Sequence, residues 1–329
     1  MTQTESTPDN LADVVVDRAE RDRVFRNDVI DGLKQQQKAI PSKHLYDARG
    51  SELFSRICET QDYYVTRTER AVYDAHLPEI ATHIGPRAEL IEPGGGDGKK
   101  ARLVLGALDD PAMYVPIEIS LAAVDEAASK LAEEFPEVAF HPICADFTKH
   151  IELSDEIAAG NRVVYFPGST IGNFEPPTRK MILERFAELA GANGTILIGV
   201  DLIKSADVLH QAYDDSEGVS SAFNTNLLQR INRELDADFD TNAFEYKAIW
   251  NAERSRVEMG QESLRDQTVT VDGEAIPFAE GEFLHVENSY KFTVERFNEE
   301  AAAAGLDHLA HWVDPKQWFC VGLFRPKST

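Results

Sequence analysis

From residue 88 onward, short apolar runs alternate with longer stretches of mixed character, and the runs Glu89–Glu92, Met113–Ile119, Val138–Ile143, Val163–Phe166 and Thr195–Val200 read as strands with helices in the gaps. That alternation predicts an α/β fold with a parallel sheet covered by helices on both faces. In such open sheets ligands bind beyond the carboxyl ends of the strands. Upstream, after a frayed first ten residues, Leu11 to Lys38 reads as helix that ends before Pro41. The segment His44–Phe54 turns at Gly50 into a short helix, and Gln61–Glu69 leads into another, for which Thr66 or Thr68 is the expected cap. Tyr46, Phe54, Tyr63 and Tyr64 fall at these turns, where packing is the ordinary role of an aromatic. Neither an internal repeat nor a long low-complexity linker interrupts the chain.

The first strand runs into Glu92-Pro-Gly-Gly-Gly-Asp-Gly98 and then a helix expected from Lys99 to Leu108. Gly94, Gly96 and Gly98 alternate, and residues without a Cβ let a backbone turn sharply and let a ligand lie against it. Two familiar glycine loops fail on spacing. For G-x-G-x-x-G the third glycine would fall on Lys99, and for G-x-x-x-x-G-K-[ST] the first glycine falls on Pro93 and the hydroxyl on Lys100. The surviving pattern, an acid followed by alternating glycines at a strand end, resembles motif I of the S-adenosylmethionine-dependent methyltransferases.

Composition narrows the function. The 329 residues carry 57 acidic and 33 basic side chains, a formal charge of -24, so phosphate backbones and anionic membranes would be repelled and no nucleic-acid or membrane partner is expected. Surplus acid would suit a cationic cofactor. Cys58, Cys144 and Cys320 lie far apart without paired spacing, and the nine histidines form no H-x-x-x-H pair, so no metal is expected. The stretch Met1–Asn10 is polar and acidic, unlike a signal peptide, and no apolar run approaches the ~20 residues that span a bilayer, so a cytoplasmic protein is expected.

At the strand ends, the residue types become specific. The second strand ends at Glu118, where a carboxylate can accept both hydroxyls of a ribose. The third leads to Asp146 and Phe147, an acid for an adenine amino group and a ring to cover its face. The fourth opens into Phe166-Pro-Gly-Ser-Thr-Ile-Gly-Asn-Phe174, where a methyl acceptor would approach; Asn173 offers both donor and acceptor there, or serves as a turn residue.

The strings Tyr46-Asp-Ala-Arg-Gly-Ser-Glu-Leu-Phe54, Tyr63-Tyr-Val-Thr-Arg-Thr-Glu69, Gly168-Ser-Thr-Ile-Gly-Asn173, Ala212-Tyr-Asp-Asp215, Ala222-Phe-Asn224, Asn232-Arg-Glu-Leu235 and Glu287-Asn-Ser-Tyr-Lys-Phe292 together resemble the histidine-specific Nα-methyltransferases of ergothioneine biosynthesis. The similarity runs from about residue 20 to the end. It implies a Rossmann-like class I methyltransferase domain, residues 68–202 plus 292–329, and an α+β substrate-binding domain, residues 1–67 plus 203–291. The implied reaction is three successive methyl transfers from S-adenosylmethionine to the α-amine of L-histidine by a monomer, giving the betaine hercynine. Motif matching puts Gly94, Gly96, Lys100, Glu118, Asp146 and Phe147 on the cofactor. It puts Tyr63, Asn173, Tyr213, Glu287 and Ser289 on histidine, with Tyr46, Phe54 and Met259 lining the pocket. Asn173 and Tyr213 would hold the α-carboxylate, Glu287 with Ser289 the imidazole, and Tyr46 would guide the amine proton through water. The chain departs from the family pattern at Asp97 and Gly98 of the glycine loop, at Glu118 where an Asp is commoner, and at Gly260–Ser263 beside Met259. A methyltransferase for another amino acid, such as tryptophan or tyrosine, and a non-catalytic cofactor-binding protein are the alternatives.

Overall fold

Four of the five expected strands form close to their expected places in the computed structural model, which describes residues 18–96, 98–119, 129, 131–154, 157 and 160–327. They are β1 (Ala88–Pro93), β2 (Met113–Glu118), β5 (Asn161–Phe166) and β6 (Thr195–Asp201). The run Val138–Ile143 is not one strand. It breaks into β3 (Ala139–Phe140) and β4 (Ile143–Cys144), both paired in parallel to β2. Pro142 lies between them and has no N–H to continue the ladder.

The strands order β3-β2-β1-β5-β6 in parallel, and a C-terminal hairpin, β12 (Leu306–Val313) and β13 (Phe319–Pro326), extends the sheet antiparallel from β6. Successive residues of a strand face opposite sides, which sorts the core into two layers. Leu90, Tyr114, Val163 and Leu197 join Val72 and Ile80 of α3 (Val65–Ile84). Ile91, Val115, Val164 and Ile196 join Ile182 and Phe186 of α5 (Pro176–Ala190) and Phe297 of α8 (Val294–Ala303).

A second, antiparallel sheet is ordered β11-β8-β7, from β7 (Phe244–Asn251), β8 (Arg256–Ser263) and β11 (Phe283–Tyr290), beside a hairpin of β9 (Gln267–Val271) and β10 (Glu274–Phe278). Helices α2 (Ala48–Glu59), α6 (Ala206–Tyr213) and α7 (Val219–Glu234) lie with it. The two sheets meet where Phe292 N–H donates to the Asp201 carbonyl and Ile203 N–H to the Phe292 carbonyl, each at 2.9 Å. This seam puts the end of β6 beside the end of β11.

Helix boundaries differ from expectation for local reasons. The first helix, α1 (Arg18–Leu33), stops before Lys38, because the chain from Lys38 to Ile40 runs extended and exchanges two backbone hydrogen bonds with His285. The positions 11–17 of the expected helix lie outside the described residues, as does Asp97. Helix α4 (Lys99–Leu105) ends at Gly106 instead of continuing to Leu108. Neither Thr66 nor Thr68 caps α3. The capping position is Tyr64, and the Thr68 hydroxyl donates back to the Tyr64 and Val65 carbonyls. Among the described residues, no helix is long and apolar enough to cross a membrane, and no group of three or more His, Cys, Asp or Glu side chains could hold a metal ion.

Candidate active site

Beyond the carboxyl end of β1, Gly94, Gly96 and Gly98 all take the left-handed backbone conformation, with φ of 74°, 54° and 71°. That conformation strains any other residue, so the alternating glycines are required by the turn itself. The space around Gly96 is open: a Cβ built there meets nothing within 4 Å. The Gly96 N–H donates to the Glu118 carboxylate at 2.8 Å, so the loop and the end of β2 form one polar edge. Burial raises the Glu118 pKa, against the lowering effect of the Gly96 and Ile119 N–H groups.

The other residues expected on the cofactor gather around this edge with partners of their own. Lys100 pairs at 2.7 Å with the buried Glu69, which also accepts the Gly168 N–H at 2.7 Å. Burial opposes the charge on Lys100, but Glu69 outweighs it and the lysine pKa is raised. Asp146 accepts from the backbone and the hydroxyl of Thr148, which fixes the turn after β4. Phe147 stands edge-on to Phe166 and Phe174 and faces Gly94, with a ring atom 3.6 Å from where a Gly94 Cβ would sit. An open glycine cradle, a strand-end carboxylate and a ring across from it fit a nucleoside.

Across the seam lies the second half of the site. A short 3-10 turn, Thr170–Asn173, follows β5 and packs on β11 so closely that a Cβ on Gly172 would come 2.9 Å from the Tyr290 carbonyl oxygen. This contact delivers Asn173, whose amide nitrogen donates to Glu287 Oε1 at 2.9 Å. Glu287 is 8% exposed, and burial pushes its pKa up to about 7 against the opposing charge of Lys291. A register shift in β11 between His285 and Glu287 sits where the Lys38–Ile40 segment pairs with His285. Such bulges re-aim the side chain that follows. Met259 lies opposite Glu287 on β8, buried.

Tyr213, at the end of α6, is the hinge of a further cluster. Its hydroxyl is 2.8 Å from Ser289 Oγ and its backbone carbonyl accepts the Tyr246 hydroxyl at 2.6 Å. Tyr63 meets the Tyr213 ring edge-on, with centroids 5.9 Å apart. Asp62 accepts from Gln211 and Ser216, tying the Tyr63 turn to both ends of Tyr213. On the open side, Tyr46 stacks edge-on to Phe54 and Phe223 at 5.5 Å and 5.4 Å. Tyr46 is 39% exposed, yet its surroundings raise its phenol pKa well above 10, burial first and the Glu287 charge second.

The expected substrate residues fall into three contacting groups, Asn173 with Glu287 opposite Met259, Tyr213 with Ser289 and Tyr63, and Tyr46 with Phe54, and they pair differently from expectation. Asn173 is joined to Glu287, and Tyr213 to Ser289. Several participants went unassigned in the sequence. Phe223 completes the aromatic group, and Asp201, Lys204, Lys291 and Tyr64 form a buried ionic cluster behind Tyr213. Lys291 had a signal: Glu287, Ser289 and Lys291 alternate, which on a strand puts all three on one face. Asp201 had none, being one more acid at a strand end.

The family model described as "Histidine-specific methyltransferase, SAM-dependent" matches residues 25–326. A histidine N-alpha-methyltransferase of Mycolicibacterium smegmatis is 38% identical over 305 residues, covering 91% of this chain and 94% of its own. One from Mycobacterium tuberculosis is 37% identical over 296 residues, covering 88% and 91%. Ergothioneine biosynthesis protein 1 of Neurospora crassa is 26% identical over 289 residues, 85% of this chain but 32% of that protein.

Proposed function

The chain belongs to the histidine-specific, S-adenosylmethionine-dependent methyltransferase family, and from that premise we propose that it transfers three methyl groups in succession to the α-amine of L-histidine, giving hercynine on the way to ergothioneine. Residues 68–202 with 292–329 serve the cofactor in this proposal, and residues 1–67 with 203–291 serve the substrate. The observation that carries the choice of substrate is the buried Glu287, held by Asn173 and poised near neutrality. Asn173 serves one carboxylate oxygen, and a substrate that covers the other without donating to it meets a cost of about 1–3 kcal/mol. An imidazole N–H supplies that donor; an apolar ring does not.

S-adenosylmethionine, when bound, supplies a methyl group on a sulfonium sulfur. Gly94, Gly96, Glu118, Asp146 and Phe147 would hold its nucleoside, with Lys100 behind them on Glu69. For the acceptor, Tyr213 donates to the α-carboxylate, and Glu287 takes the imidazole N–H. Fixing both ends leaves the amine one direction of approach, and most of the rate comes from that alignment. The amine must lose a proton before each transfer. Tyr46 rests as a neutral phenol because its pKa is raised; as its oxygen takes the amine proton its own proton goes to water, so the phenol is neutral before and after the step. The rings of Tyr46, Phe54 and Phe223 offer cation-π contact to the ammonium as methyl groups accumulate, which supports retention of the substrate until it is quaternary.

The test is to incubate the protein with S-adenosylmethionine and a mixture of the twenty amino acids and to follow each mass. Histidine alone should gain methyl groups. Methylation of tryptophan or tyrosine instead would overturn the substrate, and tight cofactor binding with no methylated product would overturn catalysis.

A further inference from the structure

The ionic cluster behind Tyr213 has a fixed supply of protons, and counting them shows what it presents to a ligand. Lys291 is fully buried, and its Nζ lies 2.7 Å from Asp201 Oδ2, 2.6 Å from Tyr213 Oη and 2.7 Å from Ser289 Oγ. An ammonium has three protons and no acceptor. All three are therefore used, and both hydroxyl oxygens act as acceptors. Tyr213 and Ser289 retain one proton each, and the 2.8 Å contact between them consumes one of the two. One hydroxyl proton is left for a ligand.

The charges around this proton have a sign. Asp201 is fully buried and is shared by Lys291 and by Lys204, whose Nζ is 2.5 Å from Oδ1. Lys204 also donates to the Tyr64 hydroxyl at 2.9 Å and to the Leu202 carbonyl, while Tyr64 donates to Asp201 Oδ2 at 2.6 Å. Asp314 also acts on Lys204, so the two ammonium groups face two buried carboxylates, and Lys291 is the cation in direct contact with the hydroxyl pair. Burial lowers the Lys204 pKa to about 8, which leaves this lysine mostly charged at neutral pH. The sheet seam at Asp201 and Phe292 fixes the cluster in place.

We propose that Lys291 is a positioning residue that makes the Tyr213–Ser289 pair a single donor polarised by a buried ammonium, and that this donor reads the carboxylate of the amino-acid substrate. A hydrogen bond to an ionised carboxylate is roughly twice as strong as one to a neutral carbonyl, so the pair discriminates against a substrate whose carboxylate has been neutralised. The inference rests on reading these residues as the histidine site and adds a residue outside the contact set to its specificity.

The experiment compares L-histidine with L-histidinamide, in which the carboxylate becomes a neutral amide and the α-amine becomes less basic, as substrates for the wild-type enzyme and Lys291→Met at saturating S-adenosylmethionine, so that the readout is the change in preference between the two enzymes. Wild type should prefer histidine. In Lys291→Met the KM for histidine should rise about ten- to hundredfold with a smaller change in kcat, while the amide is little affected, so the preference collapses. Should the lone Asp201 charge prevent folding, the double variant Lys291→Met/Asp201→Asn removes both partners of the pair and is read in the same way. Equal losses for both substrates would show a merely structural lysine and overturn the proposal while leaving histidine as the substrate. A wild-type enzyme that methylates neither would overturn the histidine site and this inference together.

Discussion

At the scale of single residues, the account turns on Glu287. Its folded-state pKa, about 7, stands above the ordinary 4.5 because burial disfavours the charge. The protonated form therefore contributes stability that is complete below about pH 4.5 and is lost as pH rises through 7. Glu287→Gln should be more stable than wild type at pH 8, by on the order of 3 kcal/mol, and equal to it near pH 4.5, in denaturant titrations of the ligand-free protein. Equal or lower stability of the variant at pH 8 would contradict the buried, strained carboxylate. The same variant should lose most histidine methylation, since a Gln carbonyl accepts more weakly than a carboxylate. Phe223→Ala should release partly methylated histidine, seen as a rise in mono- and dimethyl product by mass spectrometry. The candidate site residues stood out in the sequence because they sit in distinctive strings, but their partners did not. That Asn173 would meet Glu287, 114 positions away, depends on a packing contact no local pattern reports.

At the scale of elements, the glycines divide into those that need a backbone conformation and those that need space. Gly94, Gly96 and Gly98 belong to the first kind, and their alternation made the turn readable before the fold was known. Gly172 belongs to the second. It lets the Thr170–Asn173 turn press on β11, against backbone that cannot step aside. Gly172→Ala should destabilise the protein by ~1–3 kcal/mol and raise the KM for histidine while cofactor affinity, measured by calorimetry, stays near wild type. A variant with unchanged KM would show that the turn does not set the Asn173–Glu287 pair. The parallel strands were legible from their apolar runs. The third was misjudged because an apolar count ignores the N–H that Pro142 lacks. Helix ends were misjudged for a related reason: α1 gives way to strand-like pairing with His285, a tertiary contact that overrides helical preference.

At the scale of the whole molecule, a formal charge of -24 makes self-repulsion part of the stability. Raising ionic strength from about 0.01 M, where the Debye length is ~30 Å, to about 0.15 M, where it is ~8 Å, should raise Tm. The buried Asp201–Lys291 pair, out of reach of salt, should not cancel that gain. A Tm that falls with salt would mean that surface ion pairs outweigh the net repulsion. In the proposed function, Glu287 faces the imidazole of a substrate and the Tyr213–Ser289 hydroxyls, held by the buried Lys291, face its carboxylate. The central claim is that such a substrate stays in place through complete methylation. Its most direct test is a time course of the purified enzyme with L-histidine and excess S-adenosylmethionine, followed by mass spectrometry. The account predicts accumulation of histidine carrying three methyl groups on the α-nitrogen, with little free mono- or dimethyl species. A reaction that stops at one or two methyl groups, or that methylates the ring, would contradict it.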